Sequence, residues 1–161
     1  MPDSVLVSTQ DGIPEPPWIA RVEPFVRKAM EQLGFDGEEV SILFCTDEFM
    51  RNLNNQYRHI DSATDILSFE DGGDYEDENG RKWKNAGDIV ISLETLPVNA
   101  AYFGTCENDE LKRLVVHGLL HLNGMDHGEE HIEKGSRPVC DMLVLQEKVL
   151  AALKDEQITA G

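Results

Sequence analysis

Leu111-Lys112-Arg113-Leu114-Val115-Val116-His117-Gly118-Leu119-Leu120-His121-Leu122-Asn123-Gly124-Met125-Asp126-His127 is the stretch on which the rest of the chain is organised. At about 100° per residue, Leu111, Leu114, Val115, Gly118, Leu119 and Leu122 share one apolar face, while Val116 and Leu120 fall on the far side. A helix apolar nearly all round is buried. Asn108 is placed to cap it, with Asp109 and Glu110 in the favourable first turn. His117 and His121 stand one turn apart on one face, so their imidazoles can reach a common point. Gly124 can close the helix in a left-handed conformation, and the reversal carries His127 to a third corner. Three neutral imidazoles around an open fourth position make the arrangement of a catalytic zinc site.

A single histidine in an apolar segment is usually a hydrogen-bonded core residue. Three of the chain's five histidines at this spacing reverse that expectation. A structural zinc site is usually closed by four protein ligands, often cysteines. No cysteine lies in the motif, and Cys140 is poorly placed as a fourth ligand.

At 161 residues the chain is long enough for one domain with a proper core. No run approaches the roughly 20 apolar residues of a membrane span, so no membrane is expected as a partner. Met1-Pro2-Asp3-Ser4 shows no basic region leading into an apolar core. Cys45, Cys106 and Cys140 are odd in number and scattered, which fits reduced thiols in a cytoplasm. The formal charge of −17 opposes binding of a polyanion, although a nuclease needs only a local cationic groove and a metal.

From the N-terminus, Val5–Ser8 reads as a strand, followed by a connector punctuated by Pro14, Pro16 and Pro17. Ile19, Val22, Phe25, Val26, Met30 and Leu33 recur at three and four, giving a helix over Trp18–Leu33 with Gly34 after its end. Val40–Cys45 is a second strand, and Thr46 or Asp47 caps a helix that ends at Arg58. Residues 70–80 are acidic, glycine-rich and aperiodic, so they read as a hairpin loop or insertion between strands at Thr64–Phe69 and Gly87–Ser92. A helix over Leu93–Phe103 tolerates Pro97 in its first turn. Arg137–Leu153 forms the last helix, with Pro138 in its first turn, and residues 154–161 are a frayed tail. The fold expected is α+β, a single domain over 1–161 in which one mixed sheet of about four strands packs with about five helices.

The histidine helix resembles the metzincin pattern H-E-x-x-H-x-x-G-x-x-H, with Gly118 where the glutamate would stand. That glutamate is the general base of a zinc protease, so a protease-like hydrolase is the second reading. A closer resemblance covers more of the chain. His117–His127 looks like the H-G-x-L-H-L-x-G-x-D-H signature of the YbeY family of bacterial endoribonucleases. Leu53-Asn54-Asn55-Gln56-Tyr57-Arg58 with Asp61, Thr64, Asp65, Leu67, Ser68 and Phe69 is similar to a second block of that family, and Gly87–Ser92 to a third. The chain departs from the pattern at Glu70, where the family usually has proline, and in the length of its acidic insertion.

The resemblance implies a metzincin-like zinc-binding helix with one zinc ion on His117, His121 and His127, and single-strand-specific endoribonuclease activity. It further implies action in 3′-end maturation of 16S ribosomal RNA and in ribosome quality control, with the small ribosomal subunit or its associated proteins as partners. It associates Arg58 and His117 with activity. In physical terms, Arg58 would hold a phosphate oxygen and stabilise transition-state charge. Asp65, Asp88 or Asp126 would orient a ligand imidazole or meet substrate. The proton acceptor is open, as is the choice between a water and a 2′-hydroxyl nucleophile. A non-catalytic ribosome-assembly factor with a structural metal is the third reading.

Overall fold

The computed structural model describes residues 3–35, 37–62, 64–80, 82–122 and 141–159. Four strands form one sheet in the order β1-β2-β4-β3: β1 (Ser4–Thr9), β2 (Glu38–Cys45), β3 (Ile66–Glu76) and β4 (Lys82–Ser92). β1, β2 and β4 run parallel, and β3 pairs antiparallel with β4 at the edge. Among the described residues five α-helices accompany them: α1 (Val22–Gln32), α2 (Asp47–Arg58), α3 (Thr95–Tyr102), α4 (Glu107–Leu122) and α5 (Asp141–Ala152). The α+β class and the four-stranded mixed sheet expected from the pattern are both found.

The period-2 alternation of the central strands places a different core on each face. Val40, Ile42 and Phe44 of β2 with Ile89 and Ile91 of β4 enter the main core, shared with α1, α4 and α5. Cys45 and Val90 enter a smaller cluster with Leu67 and with Met50 of α2. α4 and α2 therefore cover opposite faces. Thr46 caps α2 by accepting from the Phe49 amide at 3.2 Å, one of the two caps the sequence allowed.

Three expectations change. The acidic stretch 70–80 is mostly strand: β3 runs on to Glu76, pairing Tyr75 with Trp83 and Glu76 with Lys82. Its Gly-rich composition belongs to a register shift between Glu70 and Gly73, a bulge in a continuing ladder. Asp77 then closes a short turn, accepting from the Asn79 amide at 2.9 Å and from Trp83 Nε1 at 3.0 Å. The tail expected to fray from 154 instead docks through Thr159. Asn108 Oδ1 accepts from the Ile158 and Thr159 amides at 2.6 and 3.1 Å, and Ile158 is fully buried. That bond also removes Asn108 from its expected capping role, since α4 begins at Glu107. The predicted start of the last helix, Arg137 and Pro138, lies outside the described residues.

Gly87 sits on β4 at φ +136°, in the left-handed half of backbone space. A Cβ there would lie 2.0 Å from the Phe69 carbonyl oxygen and 2.9 Å from Leu122 Cδ2. Gly87→Ala is therefore predicted to cost roughly 2–4 kcal/mol through left-handed strain and overpacking. Urea unfolding measures it, and an unchanged midpoint would contradict this packing.

Candidate active site

α4 lies directly on the sheet because Gly118 has no side chain. A Cβ at this position would stand 2.9 Å from Ile89 Cδ1 and 3.2 Å from Ile66 Cδ1. The glycine in place of a protease's glutamate thus has a packing cause: any side chain there must displace the isoleucines beneath it.

With Gly118 turned to the sheet, His117 and His121 lie partly exposed on a neighbouring face. Their Nε2 atoms approach to 3.0 Å, with ring centroids 4.6 Å apart and planes at 73°. Two imidazoles bound to one zinc at about 2.0–2.1 Å, with an angle of about 95–110° between them, hold their nitrogens roughly 3.0–3.4 Å apart. The observed pair fits two corners of such a site. His127 and Asp126, the expected third ligand and its neighbour, lie outside the described residues.

His117 Nδ1 faces Gln146 Oε1 at 2.7 Å. An amide oxygen only accepts, so as a hydrogen bond this contact requires the proton on Nδ1, which in the neutral ring leaves the Nε2 lone pair toward His121. Sequence reading missed Gln146, which lies on a different helix and in no motif. Its signal was a polar residue on the stripe Met142, Gln146, Val149, Leu153 of an otherwise apolar helix face.

Arg58 is the last residue of α2. His59 follows at φ 58°, in the left-handed region, and its amide donates to Asn55 O at 3.1 Å while that of Ile60 donates to Asn54 O at 3.3 Å. This paired closure reverses the chain straight after the arginine. The connection to β3 is tied back to α2 twice. Arg51 clasps Asp61 at 2.7 and 3.0 Å, and buried Asn54 donates Nδ2 to Ser62 O at 2.9 Å. Arg51 holds the Asp61 carboxyl below its usual range, first through the hydrogen bond and then through charge.

Asp65 ends that connection beside α4. Its carboxylate accepts from Asn99 Nδ2 of α3 at 2.9 Å and stands 3.7 Å from Arg113, which lies one turn before His117. Arg113 is also forked onto Glu110 at 2.7 and 2.8 Å and lies 5.3 Å over the Phe103 ring. Burial alone would lower the Arg113 pKa, but Glu110, Asp65 and Glu147 together hold it above the ordinary value. Asp65 thus joins the end of the α2–β3 connection to the histidine helix, hydrogen-bonded to Asn99 and ion-paired with Arg113.

Asp88 is exposed and lies away from the histidines. It alternates with Ile89, which packs under Gly118, so Asp88 projects from the opposite sheet face. There it borders a cavity of about 500 Å³ with Ser8, Ser41, Tyr57 and Phe69. This strand register turns Asp88 away from His117 and His121, the two expected ligands among the described residues.

A sheet-packed helix on which two imidazoles converge is the frame of a candidate hydrolase centre. The comparisons give the family. The family description "Endoribonuclease YbeY" matches residues 7–154. The protein named "Endoribonuclease YbeY" in Treponema denticola is 47% identical over 158 residues, covering 98% of each chain. Its namesake in Aquifex aeolicus is 37% identical over 133 residues, 83% of this chain and 82% of that one. A solution structure from Thermotoga maritima, 25% identical, superposes with a TM-score of 0.59 over 94% of this chain and 90% of its own. This chain belongs to the endoribonuclease YbeY family and is an RNA-cleaving hydrolase.

If Asp65 serves as a tie between α3, α4 and the Arg58 segment, Asp65→Ala loses about 1–3 kcal/mol of unfolding free energy by stranding Asn99 and Arg113. The His117 and His121 ring resonances keep their wild-type chemical shifts in the same variant. Shifted histidine resonances with unchanged stability would instead place Asp65 against an imidazole.

Proposed function

We infer that this family member is a zinc-dependent, single-strand-specific endoribonuclease of the cytoplasm. Its substrate is ribosomal RNA, with the 3′ end of 16S rRNA and ribosome quality control as its setting. Small-subunit RNA and associated proteins are its partners. The observation that carries the metal part is the 3.0 Å approach of His117 Nε2 to His121 Nε2, with His117 Nδ1 already engaged by Gln146.

His117, His121 and His127 would hold the ion. When bound, it supplies Lewis acidity at neutral pH. The remaining work falls to side chains. His117 and His121 would turn their Nε2 atoms, 3.0 Å apart, to that ion. Arg58 offers a planar fork suited to a phosphodiester oxygen and to the charge that grows on it. Arg113, committed to Glu110 and Asp65, serves structure instead. Binding of RNA by a chain of net charge −17 must be local, and adding salt weakens it by screening the few cationic contacts. No helix among the described residues is long and apolar enough to cross a membrane, in keeping with a substrate met in the aqueous phase.

Arg58→Ala is predicted to retain one equivalent of zinc and to lose about 100- to 1,000-fold in the cleavage rate of single-stranded RNA bearing a 16S 3′ end. Chelation of the wild-type protein abolishes cleavage, and added zinc restores it. Undiminished cleavage by Arg58→Ala would remove the arginine from the mechanism. Cleavage that survives complete metal removal would remove the zinc.

A further inference from the structure

Gln146 is fully buried on α5, yet among the described residues only part of its amide is used. Oε1 lies 2.7 Å from His117 Nδ1, whereas buried Nε2 has no hydrogen-bond partner among the described residues. Burying an amide with its donors unpaired works against folding. Methionine has nearly the same length and shape, fills irregular core space and carries no donor to strand. Packing alone would favour the apolar side chain. What the amide does is selective: its oxygen accepts from one ring nitrogen and thereby fixes both tautomer and ring rotation.

We propose that Gln146 is the positioning residue of the metal centre, holding His117 as the Nδ1–H tautomer so that its Nε2 lone pair faces the point shared with His121. The assignment rests on the reading of both histidines as metal ligands. Ligand histidines generally donate their second ring N–H to an outer acceptor, and losing that acceptor weakens metal binding. α5 is anchored for this task. Lys112 Nζ of α4 donates to Leu153 O and Glu156 O at 2.7 and 2.9 Å, holding the end of α5 to the same helix that carries His117. A glutamate at 146 would accept from Nδ1 as well, and more strongly. A methionine would remove that acceptor from Nδ1.

The test uses the full chain with Gln146→Met and Gln146→Glu. Zinc affinity is measured by competition with a chromophoric chelator, and the tautomer of His117 in the metal-free protein by long-range ¹H–¹⁵N correlation. Gln146→Met is expected to melt at or above the wild-type temperature, to bind zinc about 10- to 100-fold more weakly, and to lose the Nδ1–H preference of His117. Gln146→Glu is expected to recover wild-type affinity or exceed it. The proposal is overturned if Gln146→Met binds zinc like wild type, if its His117 stays Nδ1–H, or if glutamate fails to rescue. A wild-type protein that takes up no zinc overturns the ligand reading and the metal role built on it. Nδ1–H at His117 in that same sample would then locate the error in the ligand set and not in the Gln146 contact.

Discussion

The close seating of α4 on β3 and β4 governs the rest of the molecule. It depends on two glycines that meet it from opposite sides: Gly118 on the helix above Ile89 and Ile66, and Gly87 on β4 beneath Leu122. A methyl at either position would enter space already filled. Because the helix cannot rise or roll without opening this contact, the direction of His117 and His121 is inherited from the core. The residue type that makes this seating possible at 118 also takes the place of a protease's base, so packing and chemistry are decided together.

Polar ties then bring the other parts to α4. Lys112 caps the end of α5 and Asn108 holds the tail beyond it, which sets Gln146 over His117. From the other side, the Asp65 contacts with Asn99 and Arg113 tie the α2–β3 connection, which opens with the left-handed turn at His59, to the same helix. Buried polar groups of this kind are expensive unless paired, and pairing fixes geometry more sharply than apolar contact does. The donors and acceptors on α4 thus specify how α5, the tail and the α2–β3 connection assemble around it.

Much of this was legible in the chain. Period-2 alternation located the strands, period-3.6 patterning located α1 and α4, and histidine spacing located the pair whose nitrogens converge. Local composition misled where long-range pairing prevailed. Glycines and acids at 70–76 suggested a loop, but a bulge absorbs the irregularity and cross-strand pairing continues through Tyr75. The tail looked frayed because Asn108, fifty residues earlier, is what binds Ile158. Asp88 seemed a reasonable partner for a histidine until strand parity turned it to the other face. Gln146 escaped notice because its role exists only across two helices, although a lone amide on an apolar stripe marked the place.

The central claim is that His117 and His121 converge on one metal ion. X-ray absorption at the zinc edge of the zinc-loaded protein tests it most directly. The account predicts a first shell of nitrogen and oxygen at about 2.0–2.1 Å, with the outer-shell scattering of imidazole rings that disappears in step with His117→Ala and His121→Ala. A sulfur shell at about 2.3 Å, or a spectrum without imidazole scattering, would contradict it.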